Sequence, residues 1–273
     1  MNIWIFITVV IVVVVVLCVL SGKTSQLGVK KVVGSKESGG KVRTFDRDAL
    51  DYKRLQFLRS QGFNPKVIYD IGANDGVWSN AGQEIFKDAT FYMFEANDEH
   101  EHMLVATGRP YIISVLGDTD KDVVFHSLAH TGTILGGKGG GDSVFEENTQ
   151  WYVDNPNVNR KKLRMKRLDD IVAEKKWPQP EFIKMDVQGA ELIIMKGGEN
   201  ALANTEIIVL ETKILEYNKG APMLLDIMNY LDSKGFAPLD ILELHYIGPG
   251  YLNEVDVMFV RKTSPLLKKG LLG

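Results

Sequence analysis

Short apolar segments alternate with stretches of helical periodicity over most of this chain. Continuous apolar strands separated by helices predict a parallel sheet covered on both faces, because such strands are buried on both sides. The predicted strands are Val67–Ile71, Thr90–Glu95, Tyr111–Leu116, Glu181–Asp186, Ile207–Thr212 and Val255–Val260. The predicted helices are Val77–Phe86, Asp98–Ala106, Leu168–Lys175, Glu191–Met195 and Met223–Lys234.

The region from Phe236 to Val260 holds two candidate strands with no convincing helix between them. Adjacent strands joined by a short connection pair antiparallel. We therefore predict a doubly wound, Rossmann-like α/β sheet with an antiparallel hairpin at one edge.

Charge and cysteine content exclude several classes of protein. The 273 residues include 32 Lys+Arg and 35 Asp+Glu, a formal net charge of −3, and 45% are hydrophobic, which matches a globular domain and neither a basic nucleic-acid tail nor an acidic disordered segment. The single cysteine, Cys18, excludes an internal disulfide. Without a C-x-x-C motif the sequence also offers no thiolate zinc site.

The N-terminal segment has the composition of a membrane anchor. From Ile3 to Leu20 the chain carries no charged residue, and about 20 apolar residues cross a bilayer. Lysines follow this apolar segment and none precedes it. By the positive-inside rule we therefore expect the body of the protein in the cytoplasm. We expect an anchor at residues 1–22, a flexible tether at 23–44, a folded domain at 45–263 and a tail at 264–273. A cleaved signal peptide stays open as the alternative.

The first predicted strand ends in a glycine-rich turn that reads Asp70-Ile-Gly-Ala-Asn-Asp-Gly76. Ligands of doubly wound sheets bind beyond the carboxyl ends of the strands, and glycines let the backbone turn sharply there. Asn74 and Val77 break the G-x-G-x-x-G dinucleotide fingerprint, which disfavours a pyrophosphate and a dehydrogenase. The turn favours a nucleoside cofactor without phosphate, whose ribose hydroxyls Glu95 would bind. A turn that serves only tight packing is the alternative.

Four motifs resemble one known family. They read Val67-Ile-Tyr-Asp-Ile-Gly-Ala-Asn-Asp-Gly76, Phe94-Glu-Ala96, Arg167-Leu-Asp-Asp-Ile171 and Phe182-Ile-Lys-Met-Asp-Val-Gln-Gly-Ala-Glu-Leu192. With them the chain, from about Val67 to Arg261, resembles the FkbM family of S-adenosylmethionine-dependent methyltransferases. The resemblance implies a class I methyltransferase fold, S-adenosylmethionine as methyl donor and an O-methyl acceptor such as a sugar or other small hydroxylic compound. We expect cofactor contacts at Asp70, Gly72, Ala73, Asn74, Gly76, Glu95, Ala96, Asp118 and Gln188.

A hydroxyl is a weak acid, so its methylation requires a positioned base. Asp186, at the ligand end of its strand, is the first candidate, Glu211 the second and His245 the third. Lys184 shares a strand face with Asp186, so a structural ion pair of Lys184 with Asp186 or Glu191 is the alternative. A residue that caps the following turn is the equal alternative for Glu211, and a packed or surface histidine is the alternative for His245. No metal-ligand cluster has recognisable spacing, although a divalent ion on Asp186 and another carboxylate stays open.

Two further segments have simpler interpretations. The segment Gly132–Gly139 fits G-x-x-x-x-G-K but lacks the Ser or Thr of a phosphate loop, and five glycines among residues 136–141 predict a mobile loop over the acceptor pocket. The basic run 160–167 predicts an edge strand with outward charges, suited to an anionic acceptor or a membrane surface. Nucleic acid is disfavoured because the run contains no aromatic residue. A catalytically silent, membrane-tethered cofactor-binding domain is the alternative function.

Overall fold

Ten strands and eight helices are present in this computed structural model, which describes residues 45–128, 141–248 and 250–267. The strands are β1 (Val67–Ile71), β2 (Thr90–Glu95), β3 (Tyr111–Ile113), β4 (Val115–Gly117), β5 (Lys121–Leu128), β6 (Val158–Arg167), β7 (Phe182–Met185), β8 (Ile207–Lys213), β9 (Phe236–Ile247) and β10 (Tyr251–Arg261). The helices are α1 (Leu50–Ser60), α2 (Val77–Ile85), α3 (Glu101–Thr107), α4 (Gln150–Val153), α5 (Leu168–Lys175), α6 (Glu191–Gly197), α7 (Glu199–Asn204) and α8 (Leu224–Ser233), with a 3₁₀ turn at Asp98–His100.

Seven strands form one sheet in the order β3-β2-β1-β7-β8-β10-β9. Strands β1, β2, β3, β7 and β8 pair in parallel, whereas β10 runs antiparallel to both β8 and β9. The short connection between β9 and β10 explains this direction, because parallel neighbours need a long crossover. The predicted doubly wound, Rossmann-like α/β sheet and its antiparallel edge hairpin are thus confirmed.

The core lies in two layers, one on each face of this sheet. Successive residues of a strand point to opposite faces, so Ile68 packs with Leu55 and Leu58 of α1 while Tyr69 packs on the other face. That second layer contains apolar residues of α5, α6 and α8. Burying one Leu or Phe side chain contributes about 1.5–3 kcal/mol, so the helices are held mainly by these two layers.

Two strand predictions need correction. The segment predicted as one strand, Tyr111–Leu116, divides at Ser114 into β3 of the main sheet and β4 of a three-stranded sheet ordered β4-β6-β5. The basic strand β6 is the centre of that small sheet and not an edge. Its charges do point outward, where Lys162 lies 3.1 Å from Asp122 and Arg164 pairs with Asp120. The alternation of charged and apolar residues in β6 therefore indicates that one face of this strand is exposed to solvent.

Several predictions fall on residues that the structure does not describe. They concern the anchor, the tether, the Gly132–Gly139 segment and residues 136–140 of the predicted mobile loop. Within the described ranges, no helix is both long enough and apolar enough to cross a bilayer.

Candidate active site

A cavity of about 490 Å³ opens at the carboxyl ends of β1, β2, β7 and β8. The turn after β1 forms one wall, and its backbone is left-handed at Gly72 (φ 78°), Asn74 (φ 50°) and Gly76 (φ 74°). A Cβ atom on Gly72 would lie 1.9 Å from the carbonyl oxygen of Asp186. Glycine is therefore required here by the neighbouring turn after β7, which it packs against, so the two turns hold each other in place.

Glu95, the last residue of β2, organises the adjoining wall. Its Oε2 accepts the N–H of Asn74 at 2.7 Å, and its Oε1 accepts the N–H groups of Ala96 and Asn97, each at 2.8 Å. Burial raises the pKa of Glu95, an effect that these three backbone N–H groups partly offset. A carboxylate oxygen accepts two hydrogen bonds, so Oε2 retains one position for a hydroxyl of a bound ligand.

The structure brings most of the expected cofactor residues to this cavity. Those that line it are Gly72, Ala73, Asn74, Glu95, Ala96 and Gln188. Ser114, Val115 and Leu116 also line it, although sequence reasoning singled out none of them. They mark the point where the chain leaves the main sheet for the small one, a break that the apolar pattern of 111–116 does not reveal.

Asp70 and Asp118 lie elsewhere, which corrects both expectations. Asp70 is fully buried one residue before the end of β1, where Ser79 Oγ donates to its Oδ2 at 2.7 Å and Lys184 Nζ lies 3.7 Å from its Oδ1. Asp118 is in the turn before β5 and accepts a hydrogen bond from Thr119 Oγ1 at 3.2 Å, which is ordinary turn chemistry. Neither side chain lines the cavity.

Gly76 also packs within the protein and does not line the cavity. A Cβ atom there would lie 2.9 Å from Cγ2 of Thr107, at the end of α3, and 3.5 Å from Sδ of Met93. At this position the alternative of a turn that serves tight packing is therefore the right one.

Asp186 lies immediately after β7, with 43% of its side chain exposed toward the cavity. Lys184 Nζ is 3.5 Å from its Oδ2, and Gln188 Nε2 donates to its Oδ1 at 3.2 Å. Burial opposes ionisation, but the charge of Lys184 and the hydrogen bond from Gln188 prevail and lower the pKa of Asp186. Asp186 is thus an ionised carboxylate facing the cavity. The Lys184–Asp186 pair of the structural alternative is present as well.

Glu211 lies inside β8 and caps no turn. Its Oε1 accepts hydrogen bonds from Gln188 Nε2 at 2.5 Å and from Lys213 Nζ at 2.9 Å, while Lys213 also pairs with Glu254. Burial and the charge of Asp186 raise the pKa of Glu211 well above its usual value, although Lys213 opposes the shift. Only 10% of the Glu211 side chain is exposed, compared with 43% for Asp186, so Asp186 is the more accessible carboxylate of the two.

His245 faces the same cavity from β9. Its Nε2 lies 3.5 Å from Oδ1 of Asp256, and this contact raises the pKa of His245 to about 9 against the opposing effect of burial. The imidazole is therefore protonated near neutral pH and does not serve there as a base. His245 thus adds a positive charge to the cavity, and the choice among the three candidate bases stays a prediction.

The motifs and this geometry agree with a family comparison. A family model described as the methyltransferase FkbM domain matches residues 70–238, which is more than half of the chain. This chain belongs to the FkbM methyltransferase family. The resemblance noted from the four motifs is thereby confirmed.

Solved structures similar to this FkbM domain include other methyltransferases. A methyltransferase FkbM from Methylobacillus flagellatus KT is 17% identical with a TM-score of 0.43, over 71% of this chain and 43% of that one, so this chain spans less than half of that protein. The precorrin-6y C5,15-methyltransferase of Geobacter metallireducens GS-15 is 11% identical with a TM-score of 0.43, over 78% and 88% of the two chains. No curated protein sequence gave a match.

One wall of the cavity in this FkbM domain is rich in carboxylates, of which the sequence analysis singled out only Asp186 and Glu211. This acidic wall consists of Asp51, Asp186, Glu211, Glu243, Glu254 and Asp256. A signal for part of it is present in the sequence, because Glu243 and His245, and Glu254 and Asp256, are each two residues apart in strands and so share a face. By contrast, none of the basic residues of β6 is among the residues that line the cavity.

Proposed function

We propose that this FkbM domain transfers a methyl group from S-adenosylmethionine to a hydroxyl group of a sugar or another small acceptor. The observation that carries the proposal is the position of Asp186. This ionised, partly exposed carboxylate opens into the cavity that the β1 turn and Glu95 also line. The proposed base and the proposed nucleoside-binding residues thus line the same cavity.

The residues of the cavity suit the cofactor. Its volume of about 490 Å³ is within the range of small-molecule sites. Glu95 Oε2 has an acceptor position left for a ribose hydroxyl, and the apolar side chains of Val115 and Leu116 offer a surface for a flat base. When bound, S-adenosylmethionine supplies an electrophilic methyl group on a positively charged sulfur.

The chain's own residues have distinct tasks in this proposal. Asp186 accepts the proton of the acceptor hydroxyl, while Lys184 keeps that carboxylate ionised. Gln188 fixes its orientation, since one amide nitrogen donates to both Asp186 and Glu211. Positioning a nucleophile and its base in one cavity contributes to the rate through orientation as well as through proton transfer.

The substitution Asp186→Asn tests this assignment because it keeps the shape and removes the proton acceptor. We expect methyl transfer to fall by about 10²–10⁴-fold, the usual contribution of a general base, with little change in cofactor affinity. The measurement is turnover of labelled S-adenosylmethionine on a library of glycans and small hydroxylic compounds. Asp118→Asn, outside the cavity, is the matched control and should retain the wild-type rate.

Other outcomes separate the alternatives. A folded Asp186→Asn protein that keeps most of its rate would show that Asp186 serves only the ion pair with Lys184. Calorimetric titration with S-adenosylmethionine and with NAD distinguishes a methyltransferase from a dehydrogenase. Tight S-adenosylmethionine binding with no product from any acceptor would favour the catalytically silent binding domain.

A further inference from the structure

Two rows of polar and charged side chains cross β9, β10 and β8 beside the cavity. The strand register places Asp256 opposite both Glu243 and Glu211, so three carboxylates form the first row. In the second row, Glu254 lies opposite both His245 and Lys213. Like charges directly opposite one another destabilise a sheet, and no cation stands within the first row itself.

The lysine of the second row neutralises only part of this charge. Lys213 Nζ pairs with Glu254 and, at 2.9 Å, with Oε1 of Glu211. Gln188 donates to the same Oε1 at 2.5 Å. Both of these hydrogen bonds end on Oε1, so neither involves Oε2 of Glu211.

Asp256 and His245 provide a second, independent observation. Oδ1 of Asp256 and Nε2 of His245 are shielded from solvent and form an ion pair at 3.5 Å without hydrogen-bond geometry, so neither atom has a hydrogen-bond partner within the described part of the chain. Buried polar atoms without such a partner are rare in folded proteins, and a bound ion is one of the usual reasons for them.

The same two residues and Glu211 have the spacing of a metal centre. One ligand atom from each of Glu211, His245 and Asp256 lies within 4.8 Å of the other two. Because bonds from such ligands to a cation are about 2.0–2.2 Å long, two ligand atoms on one cation lie at most about 4.4 Å apart. Binding would therefore draw these side chains together only slightly.

We propose that Glu211, His245 and Asp256 bind a divalent transition cation of the Mn²⁺ or Zn²⁺ class. One imidazole nitrogen with two carboxylates is a mixed ligand set that suits these ions, and the cation replaces the proton that His245 carries in its ion pair with Asp256. Three protein ligands leave positions open, and all three residues line the cavity. The cation thus takes a hydroxyl oxygen of the acceptor as a further ligand, a step that rests on the proposed function, and makes that hydroxyl easier to deprotonate by Asp186.

Direct titration with Mn²⁺ alone tests the site. The full chain, freed of metal with EDTA and then dialysed, is titrated in the absence of cofactor and acceptor while electron paramagnetic resonance follows the signal of free Mn²⁺. We expect one Mn²⁺ bound per chain. Asp256→Asn and His245→Gln should each weaken binding at least tenfold, since even residues that only orient metal ligands contribute about 10–100-fold. Asp232→Asn, in an exposed pair with Lys262, should bind as the wild type does.

Melting experiments guard against misfolded variants. Mn²⁺ should raise the melting temperature of the wild type and of Asp232→Asn. It should not raise the melting temperature of Asp256→Asn or His245→Gln, provided that the variant folds. Wild-type protein that binds no Mn²⁺ or Zn²⁺ at millimolar concentration, or ligand variants that bind like the wild type, would overturn the site.

Calorimetry with S-adenosylmethionine in the presence of EDTA separates this inference from the proposed function. If the cofactor binds but Mn²⁺ does not, the metal site alone is refuted. If Mn²⁺ binds at the three residues but the cofactor does not, the metal site stands and its coordination of an acceptor hydroxyl is refuted together with the proposed function.

Discussion

Lys184 joins three segments of the site through one ammonium group. Its Nζ lies 3.5 Å from the carbonyl oxygen of Gly72, 3.5 Å from Asp186 and 3.7 Å from Asp70. Asp70 is fully buried, and burial raises its pKa while the charge of Lys184 lowers it. The lysine therefore compensates a carboxylate that water does not reach.

Replacing this lysine should be costly for the fold. Breaking a buried pair by removing one partner typically costs about 3–5 kcal/mol, so we expect Lys184→Met to lower the free energy of unfolding by that amount in urea titrations. Lys162→Met removes a lysine whose side chain is 76% exposed and lies 3.1 Å from Asp122, and it should cost about 1 kcal/mol or less. Similar losses of unfolding free energy in the two variants would show that Lys184 does not stabilise the buried carboxylate of Asp70.

The positions of single residues were predictable where those residues lie at the carboxyl ends of strands. Asp186 and Glu95 follow from the rule that parallel strands present their carboxyl ends at one edge of the sheet. Asp70 was misplaced because it precedes the end of β1 by one residue, and the alternation of side chains turns it toward Ser79 of α2. The protonation of His245 depends on Asp256 across a hairpin, a partner that no local pattern identifies.

At the scale of elements, the β9–β10 hairpin was predictable but its contribution to the cavity was not. Two adjacent strand patterns without a helix between them indicate a hairpin. Register decides which side chains meet, and the β9–β10 pairing contains irregularities between Leu252 and Glu254 and between Asp256 and Val257. Sequence alternation assigns faces and leaves register open. Alternation also does not show how many neighbouring strands a strand has, which is why β6 was mistaken for an edge strand.

The turns after β1 and β7 should respond sharply to a methyl group at Gly72. Gly72→Ala brings a Cβ atom to 1.9 Å from the Asp186 carbonyl, in addition to the strain of a positive φ. Gly108 has a similar φ of 68° but nothing within 4 Å of its Cβ position, so Gly108→Ala measures the strain alone, about 1–2 kcal/mol.

We expect Gly72→Ala to lose more unfolding free energy than Gly108→Ala in urea titrations. Because the displaced carbonyl belongs to Asp186, methyl transfer should also fall in Gly72→Ala and remain intact in Gly108→Ala. Equal losses of stability would mean that the two turns separate without cost and that only the positive φ matters at position 72.

The stability of the whole molecule should depend on pH through Glu191. This side chain is 2% exposed, and burial raises its pKa to about 7, an effect that its backbone hydrogen bonds and the charge of Lys213 reduce. The unfolded chain has the ordinary value of about 4.3. Between these values the folded state holds the extra proton, so stability falls as pH rises through the interval and is constant above it.

The substitution Glu191→Gln should remove this decline. We expect the variant to gain up to about 3 kcal/mol relative to the wild type between pH 4.5 and 8, which corresponds to 1.36 kcal/mol for each unit of pKa difference. Urea titrations at several pH values measure it. The exposed substitution Glu174→Gln should leave the wild-type slope unchanged, and a Glu191→Gln protein with that same slope would contradict the assignment to Glu191.

The class of the fold was predictable from the alternation of apolar and helical segments, whereas the complete strand order was not. Adjacent pairs such as β1 and β2 follow from their short crossover. The pairing of β1 with β7 brings together residues more than a hundred positions apart, such as Ile68 and Phe182. Such pairing depends on packing between distant segments, so the local sequence pattern does not predict it.

The insertion of β10 between β8 and β9 has a consequence for synthesis of the protein. Every residue of β8 is buried, yet its partner on that side, β10, leaves the ribosome only after β9. A nascent chain that has emerged only as far as Ile247 therefore carries an apolar strand with an open edge, which is a template for aggregation. Chaperone binding during translation should be strongest in this interval and end once Tyr251–Arg261 has emerged.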